Sequence, residues 1–104
     1  MTAGLHSISG VDRLIHEPAR MMIVTILYAV EGADFLYLLR ETGLTKGNLS
    51  AHLGKLEEAG YVKIEKIFRG KVPQTLLSLT PGGRAAFETY REQLKQIVQS
   101  LSKE

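Results

Sequence analysis

The sequence predicts an α+β domain that is mostly helical: a three-helix core, a two-stranded β-hairpin and a long C-terminal helix. Three observations predict it. Apolar residues recur at helical spacing over the first half of the chain. The period shortens to two on either side of a turn containing Gly70 and Pro73. A helical spacing returns after Thr80-Pro81 and persists to the end. With 104 residues the chain holds one small domain with a real core, and residues 1–104 are read as that single domain.

Residues 1–7 read as a loose end. Ser9 is positioned to cap a short helix carrying Val11, Leu14 and Ile15 on one side. Pro18 suits the first turn of a second helix, where a missing N–H costs nothing. That helix runs to about Val30 and is apolar nearly all round, through Met21, Met22, Ile23, Val24, Ile26 and Leu27. Such a segment is either the buried centre of a domain or a surface packed on another chain. Glu31-Gly32 ends it. Asp34 then caps a short helix with Phe35, Leu38 and Leu39 facing inward and Gly43 as its stop.

Thr45 caps the next helix, which extends to about Ala59 and is closed by Gly60. Asn48 stands where a full capping box would have Glu or Gln. Leu49, Leu53 and Leu56 form one stripe, and Gly47, Ala51 and Gly54 fall opposite. Two interior glycines cost about 1 kcal/mol each against alanine. A helix built only for stability would carry Glu, Lys or Gln there, so this face is expected to admit a close neighbour.

In YVKIEKIF, Val62 and Ile64 share one face, and Lys63 and Glu65 the other. RGKVPQ reads as a turn or short loop, and TLLSLT alternates again with Leu77 and Leu79 on one face. Thr80-Pro81 caps a last helix over residues 81–101. Two helices joined by a short Gly-containing turn and followed by a ribbon make a winged helix-turn-helix.

Composition narrows the function. No apolar run reaches the roughly 18 residues of a membrane helix, and the densest, residues 21–30, is interrupted by Thr25. The N-terminus lacks a basic segment followed by a long apolar one, and there is no cysteine, so a cytoplasmic protein is expected. His6, His16 and His52 lack metal-ligand spacing, and no P-loop, carboxylate pair or nucleophile with a base is present. The sequence therefore predicts no enzyme, metal or cofactor. Of the formal charge of +2, residues 44–74 carry +3 and the remainder −1. That bias fits a polyanionic partner or a chance imbalance on a solvated surface.

The stretch FLYLLRETGLTKGNLSAHLGKLEEAGYVKIEKIFRGKVPQTLLSLTPGG resembles the winged-helix transcription regulators of the MarR/ArsR/PadR type. The G-L-T-x-x-x-L-S-x-x-L-x-x-L-E-x-x-G-Y-V run and the R-G-K-x-P-x-T wing leading into L-T-P-x-G carry the likeness, over about residues 21–87. The chain departs from those patterns in lacking cysteine ligands. It also has Ile67 where many such wings place an Asp before the phosphate-clamping Arg.

The resemblance implies a sequence-specific regulator of double-stranded DNA, with helix 45–59 in a major groove about 12 Å wide. Gly47, Ala51 and Gly54 then let the backbone approach the duplex, flanked by Thr45, Lys46, Asn48, Ser50 and Lys55. Asn48 and Ser50 are expected at base edges, and Lys46 and Lys55 at phosphates. His52 is a packing or phosphate-contact residue. Arg69 and Lys71 at the hairpin tip, with Gln74 just beyond, are expected on the adjacent backbone or minor groove. Lys63 and Lys66 read as outward, solvated lysines. Without the resemblance, the same residues also fit a solvated helix face and a solubilising turn.

Phe87, Tyr90, Leu94, Ile97 and Leu101 follow spacings of 3, 4, 3 and 4, a heptad seam that Val98 widens. The seam either packs on the same chain or is shared between two. Sharing is the expectation, with helix 81–101 as the dimerisation helix. A dimer places two recognition helices about 34 Å apart and calls for a palindromic or near-palindromic operator. The expected function is a homodimeric repressor. A winged-helix protein-interaction module that never reads DNA and a regulator responsive to a small-molecule effector are the alternatives.

Overall fold

The most apolar helix of the sequence is the centre of the fold. In the computed structural model, which describes residues 10–102, helix α1 spans Pro18–Ala29. Ile23, Val24 and Leu27 are fully buried within it. Glu17 is its N-cap, accepting from the Arg20 amide at 2.8 Å, and Pro18 occupies the first turn. That hydrogen bond, ahead of the nearby His52 and Arg20 charges, holds the Glu17 carboxyl below its usual value against the opposing effect of burial.

The loose end at residues 1–7 and Ser9 lie outside the described residues. The short helix expected over Val11, Leu14 and Ile15 is instead a turn organised by Asp12. Its Oδ1 accepts from the amides of Leu14 (2.9 Å) and Ile15 (3.3 Å), and the His16 amide donates to its carbonyl. Asp12 takes up the local donors, and Pro18 disfavours helical geometry at the residue before it, so no second turn forms. Val11 and Ile15 are nonetheless buried, as their apolar character required.

A two-residue strand not anticipated from the sequence follows α1: β1, Ala33–Asp34. Asp34 serves twice, pairing with Leu76 and capping helix α2 (Phe35–Thr42) by accepting from the Tyr37 amide at 2.7 Å. Leu38 is fully buried, and Phe35 and Leu39 pack half-buried against the core. Gly43 ends α2 in the left-handed region at φ 71, donating to the Leu39 carbonyl. Helix α3, Lys46–Glu58, begins three residues later. Strands β2 (Val62–Arg69) and β3 (Val72–Leu79) form the hairpin, and the antiparallel sheet has the order β1-β3-β2. The strands reach further than the expected loop RGKVPQ allowed: only Gly70 and Lys71 form the connection, and Pro73 lies within β3 opposite Phe68. With Arg69 and Val72 as the closing pair, the Pro73 nitrogen faces away from β2, where a missing donor is harmless.

Helix α4, Pro81–Ser102, is fastened to the end of α3. The α3 terminus is a Schellman motif: the Tyr61 amide reaches the Leu56 carbonyl (2.9 Å) and the Gly60 amide that of Glu57 (2.9 Å), with Gly60 at φ 81. The Thr80 amide then donates to the Tyr61 carbonyl, and its hydroxyl donates to the Gly60 carbonyl while accepting from the Gly83 amide. Gly83 lies so close that a Cβ there would sit 2.1 Å from the Tyr61 carbonyl oxygen. This is the physical content of the T-P-G-G sequence at the start of α4. No helix among the described residues is long and apolar enough to cross a membrane.

The heptad stripe of α4 is divided. Phe87 and Tyr90, expected in a seam between two chains, are 5 % and 1 % exposed in the chain's own core. Phe87 packs its ring against Tyr28 (centroids 4.9 Å apart), and the Tyr90 hydroxyl lies 2.7 Å from His16 Nδ1. Neither retains surface to offer a partner. Leu94 and Ile97 are half-buried against the core, whereas Val98 and Leu101 are exposed. The reason is geometric. Anchored at Gly83, the first turns of α4 must lie on the core, but a 22-residue helix about 33 Å long outruns it.

Gly83→Ala is expected to lower stability by about 1–3 kcal/mol in denaturant melts, because backbone rather than a flexible side chain blocks the new methyl. The Tyr61 hydroxyl donates to Asp12 Oδ2; this bond, then burial, pushes the Tyr61 pKa from 10 up to about 12. Because the folded value lies above the unfolded one, the stabilisation is complete below pH 10 and is lost as pH rises through about 12. Ultraviolet titration is expected to show a late tyrosine phase that shrinks in Tyr61→Phe.

Candidate nucleic-acid interface

Helix α3 presents two sharply different sides. Leu49, Leu53 and Leu56 fix it to the core, each 2 % exposed or less. Lys46, Gly47, Asn48, Ser50, Ala51, Gly54 and Lys55 are all exposed. Thr45 is the N-cap, its hydroxyl accepting from the Asn48 amide at 3.1 Å. The helix thus starts at the surface, with the amides of Lys46 and Gly47 and the positive end of the helix dipole turned outward. A Cβ added at Gly47 or Gly54 would meet nothing within 4 Å. The chain's own packing therefore does not require either glycine.

The hairpin adds a second surface beside this one. Its register places Val62/Leu79, Ile64/Leu77, Lys66/Thr75 and Phe68/Pro73 on one face. This face looks toward α3. Together with Phe35 of α2, they enclose a groove of about 360 Å³ lined by Ser50, Leu53, Gly54 and Glu57 from the helix and Ile64, Lys66, Thr75 and Leu77 from the hairpin. The opposite face carries Lys63, paired with Glu65 at 3.5 Å. Arg69 and Lys71 are exposed at the tip, held by Gly70 at φ 66, a conformation suited to a two-residue hairpin loop.

Two expected contact residues are not exposed. His52 does not share the exposed face. It is half-buried against α1, with Nδ1 3.2 Å from an Arg20 guanidinium nitrogen and 4.0 Å from Glu17 Oε1. One residue beyond Ala51, the helix has turned about 100° toward the core. Gln74, just beyond the tip as expected, is not an exposed contact residue: it lies within β3, half-buried across from Ile67, and lines a shallow cleft with Leu36 and Pro73. Its Oε1 is buried and has no hydrogen-bond partner among the described residues.

Sequence reasoning did not place Lys66 in this groove, nor Phe68 on the hairpin face that looks toward α3. Lys66 is not simply an outward lysine, since it lines the groove with Ser50 and Gly54. The signal was available: counting by twos from Val62 puts Lys66 and Phe68 on the same face as Ile64.

Residues 19–98 match the family model described as winged helix DNA-binding domain. An uncharacterised protein of Methanocaldococcus jannaschii is 36 % identical over 90 residues, spanning 86 % of this chain and 97 % of that protein. Among solved structures, a transcriptional regulator homologue from Pyrococcus horikoshii OT3 superposes with a TM-score of 0.87 at 26 % identity, covering 92 % of this chain and 97 % of that one. A protein of Enterococcus faecalis V583 assigned to the MarR family of transcriptional regulators gives 0.75 at 21 % identity, covering 96 % and 93 %, a likeness of fold alone. The fold is that of DNA-binding regulators rather than of enzymes. With its helix-turn-helix, its ribbon and most of its length inside the matched region, the chain belongs to the winged helix DNA-binding domain family.

Proposed function

We propose that the protein is a homodimeric, sequence-specific repressor that sets helix 45–59 in the major groove of a palindromic or near-palindromic operator. Wing 69–74 then lies along the adjacent backbone or minor groove. The observation that carries this reading is the outer side of α3, which is exposed, glycine-lined and flanked by Lys46 and Lys55. Asn48 and Ser50 supply hydrogen-bonding groups for base edges, Asn being suited to adenine. Lys46, Lys55, Arg69 and Lys71 supply phosphate charge, and the amides at the start of α3 add to it. Dimerisation is assigned to the far end of α4, where Leu94 and Ile97 are half-buried and Leu101 is 55 % exposed. Two copies offset the small area that one such module buries on DNA. Repression follows from occlusion of the promoter, in the cytoplasm.

Selection of bound duplexes from random sequence is expected to return two inverted half-sites about one helical turn apart. On the selected site, the dependence of log affinity on log salt is expected to fall by roughly 0.9 for each phosphate contact removed in a Lys46→Ala, Lys55→Ala double variant. An unchanged slope assigns the wrong face of α3 to the duplex.

Gly47→Ala and Gly54→Ala are each expected to raise thermal stability by about 0.5–1 kcal/mol, since the methyl has space and the helix gains propensity. The same variants are expected to weaken operator binding in an anisotropy titration, because the methyl occupies space reserved for the duplex.

A further inference from the structure

Phe68 has no role in the chain's own core. At 74 % exposure it exceeds every other large apolar side chain that stands out from the described surface. Its position is fixed nonetheless. It is paired with Pro73, next to a two-residue loop, and the register puts it one step outward from Lys66 on the face that looks toward α3. Val72, 61 % exposed, is apolar on the other face of the same tip.

The surroundings discriminate between partners. Along the chain, Lys66, Arg69 and Lys71 bracket the ring and residues 66–79 contain no acidic residue; Glu57, which lines the groove beside Lys66, and Asp34, in the cleft beside Pro73, are set back from the tip on α3 and β1. An apolar protein surface gains nothing from three such cations, whereas a groove walled by phosphates does. Aromatic and aliphatic side chains that enter a minor groove unstack a base step and bend the duplex away from themselves. Pyrimidine–purine steps open at the smallest cost.

Resting on the DNA-binding reading, we infer that Phe68 is an apolar wedge: the wing tip lowers it into the minor groove, where it opens a flexible pyrimidine–purine step and bends the operator. Lys66, Arg69 and Lys71 hold the flanking phosphates. The wing thereby selects sequence through deformability, at positions that α3 does not touch. Val72 and Pro73 fill the widened groove behind the ring.

The test uses the full chain on its selected operator labelled at both ends for energy transfer, comparing wild type, Phe68→Leu, Phe68→Ala and Arg69→Ala. Phe68→Ala is expected to bind roughly 10- to 100-fold more weakly and to leave the duplex straighter. It should keep the wild-type salt slope and melting temperature. Phe68→Leu is expected to retain most of the bend, and Arg69→Ala to lower the salt slope by about 0.9. Replacing the flexible step beneath the wing by a stiff A-tract should weaken the wild type and leave Phe68→Ala indifferent. Equal bending and affinity in wild type and Phe68→Ala overturn the wedge while leaving the DNA-binding reading intact. A change of oligomeric state in Phe68→Ala also overturns it, by assigning the ring to a contact between copies. A wild-type chain that binds no duplex sinks both readings.

Discussion

The geometry of this domain depends on the place where two backbones nearly touch. Gly83, in the first turn of α4, approaches the Tyr61 carbonyl more closely than any side-chain-bearing residue allows. Around that contact, Thr80 bonds the carbonyls of Tyr61 and Gly60, and the amides of Gly60 and Tyr61 close the end of α3. Tyr61 is also tied by its hydroxyl to Asp12, in the turn ahead of α1. Three elements that are distant in sequence therefore meet at one residue. The direction of α3, the start of β2 and the departure of α4 are all set there, so the pose of the outward face of α3 is a consequence of packing on the opposite end of the same helix.

Much of this was legible because it is local. Caps at Asp34 and Thr45, stops at Gly43 and Gly60, and the change of period at Tyr61 each follow from the chemistry of one or two residues. What escaped was non-local. Strand β1 is two residues long and exists only because β3 offers it a free edge. The heptad spacing of α4 is real, but spacing cannot say whether Phe87 and Tyr90 face their own core or another chain. The approach of Gly83 to Tyr61 decides that, and no periodicity encodes it. The turn ahead of α1 is organised by Asp12 because a side-chain acceptor competes there with a helix. Of the interface, the exposed side of α3 was legible from its misplaced glycines. Alternation from Val62 also indicates which β2 residues share the groove face, but their partners in β3 required the register.

Local rules are broken in a pattern. The glycines of α3 weaken the helix, and Phe68 leaves a large ring in water, yet neither is demanded by the fold. Most of the remaining choices agree with their surroundings, with a buried α1, caps that bond and a proline where no donor is needed; the buried Oε1 of Gln74 and the exposed Leu36, Val72, Val98 and Leu101 do not. Sequences that depart from self-consistency do so where something outside the chain completes the arrangement. Here the α3 glycines and Phe68 belong to the exposed side of α3 and the hairpin face that looks toward it.

The rod-like α4 carries a mechanical implication. It is riveted at one end to the terminus of α3 and projects at the other past the core. Such a helix is a lever whose fulcrum is the Gly83 contact. A tilt of about 5° about that contact would displace the far tip by roughly 3 Å over the length of 22 residues.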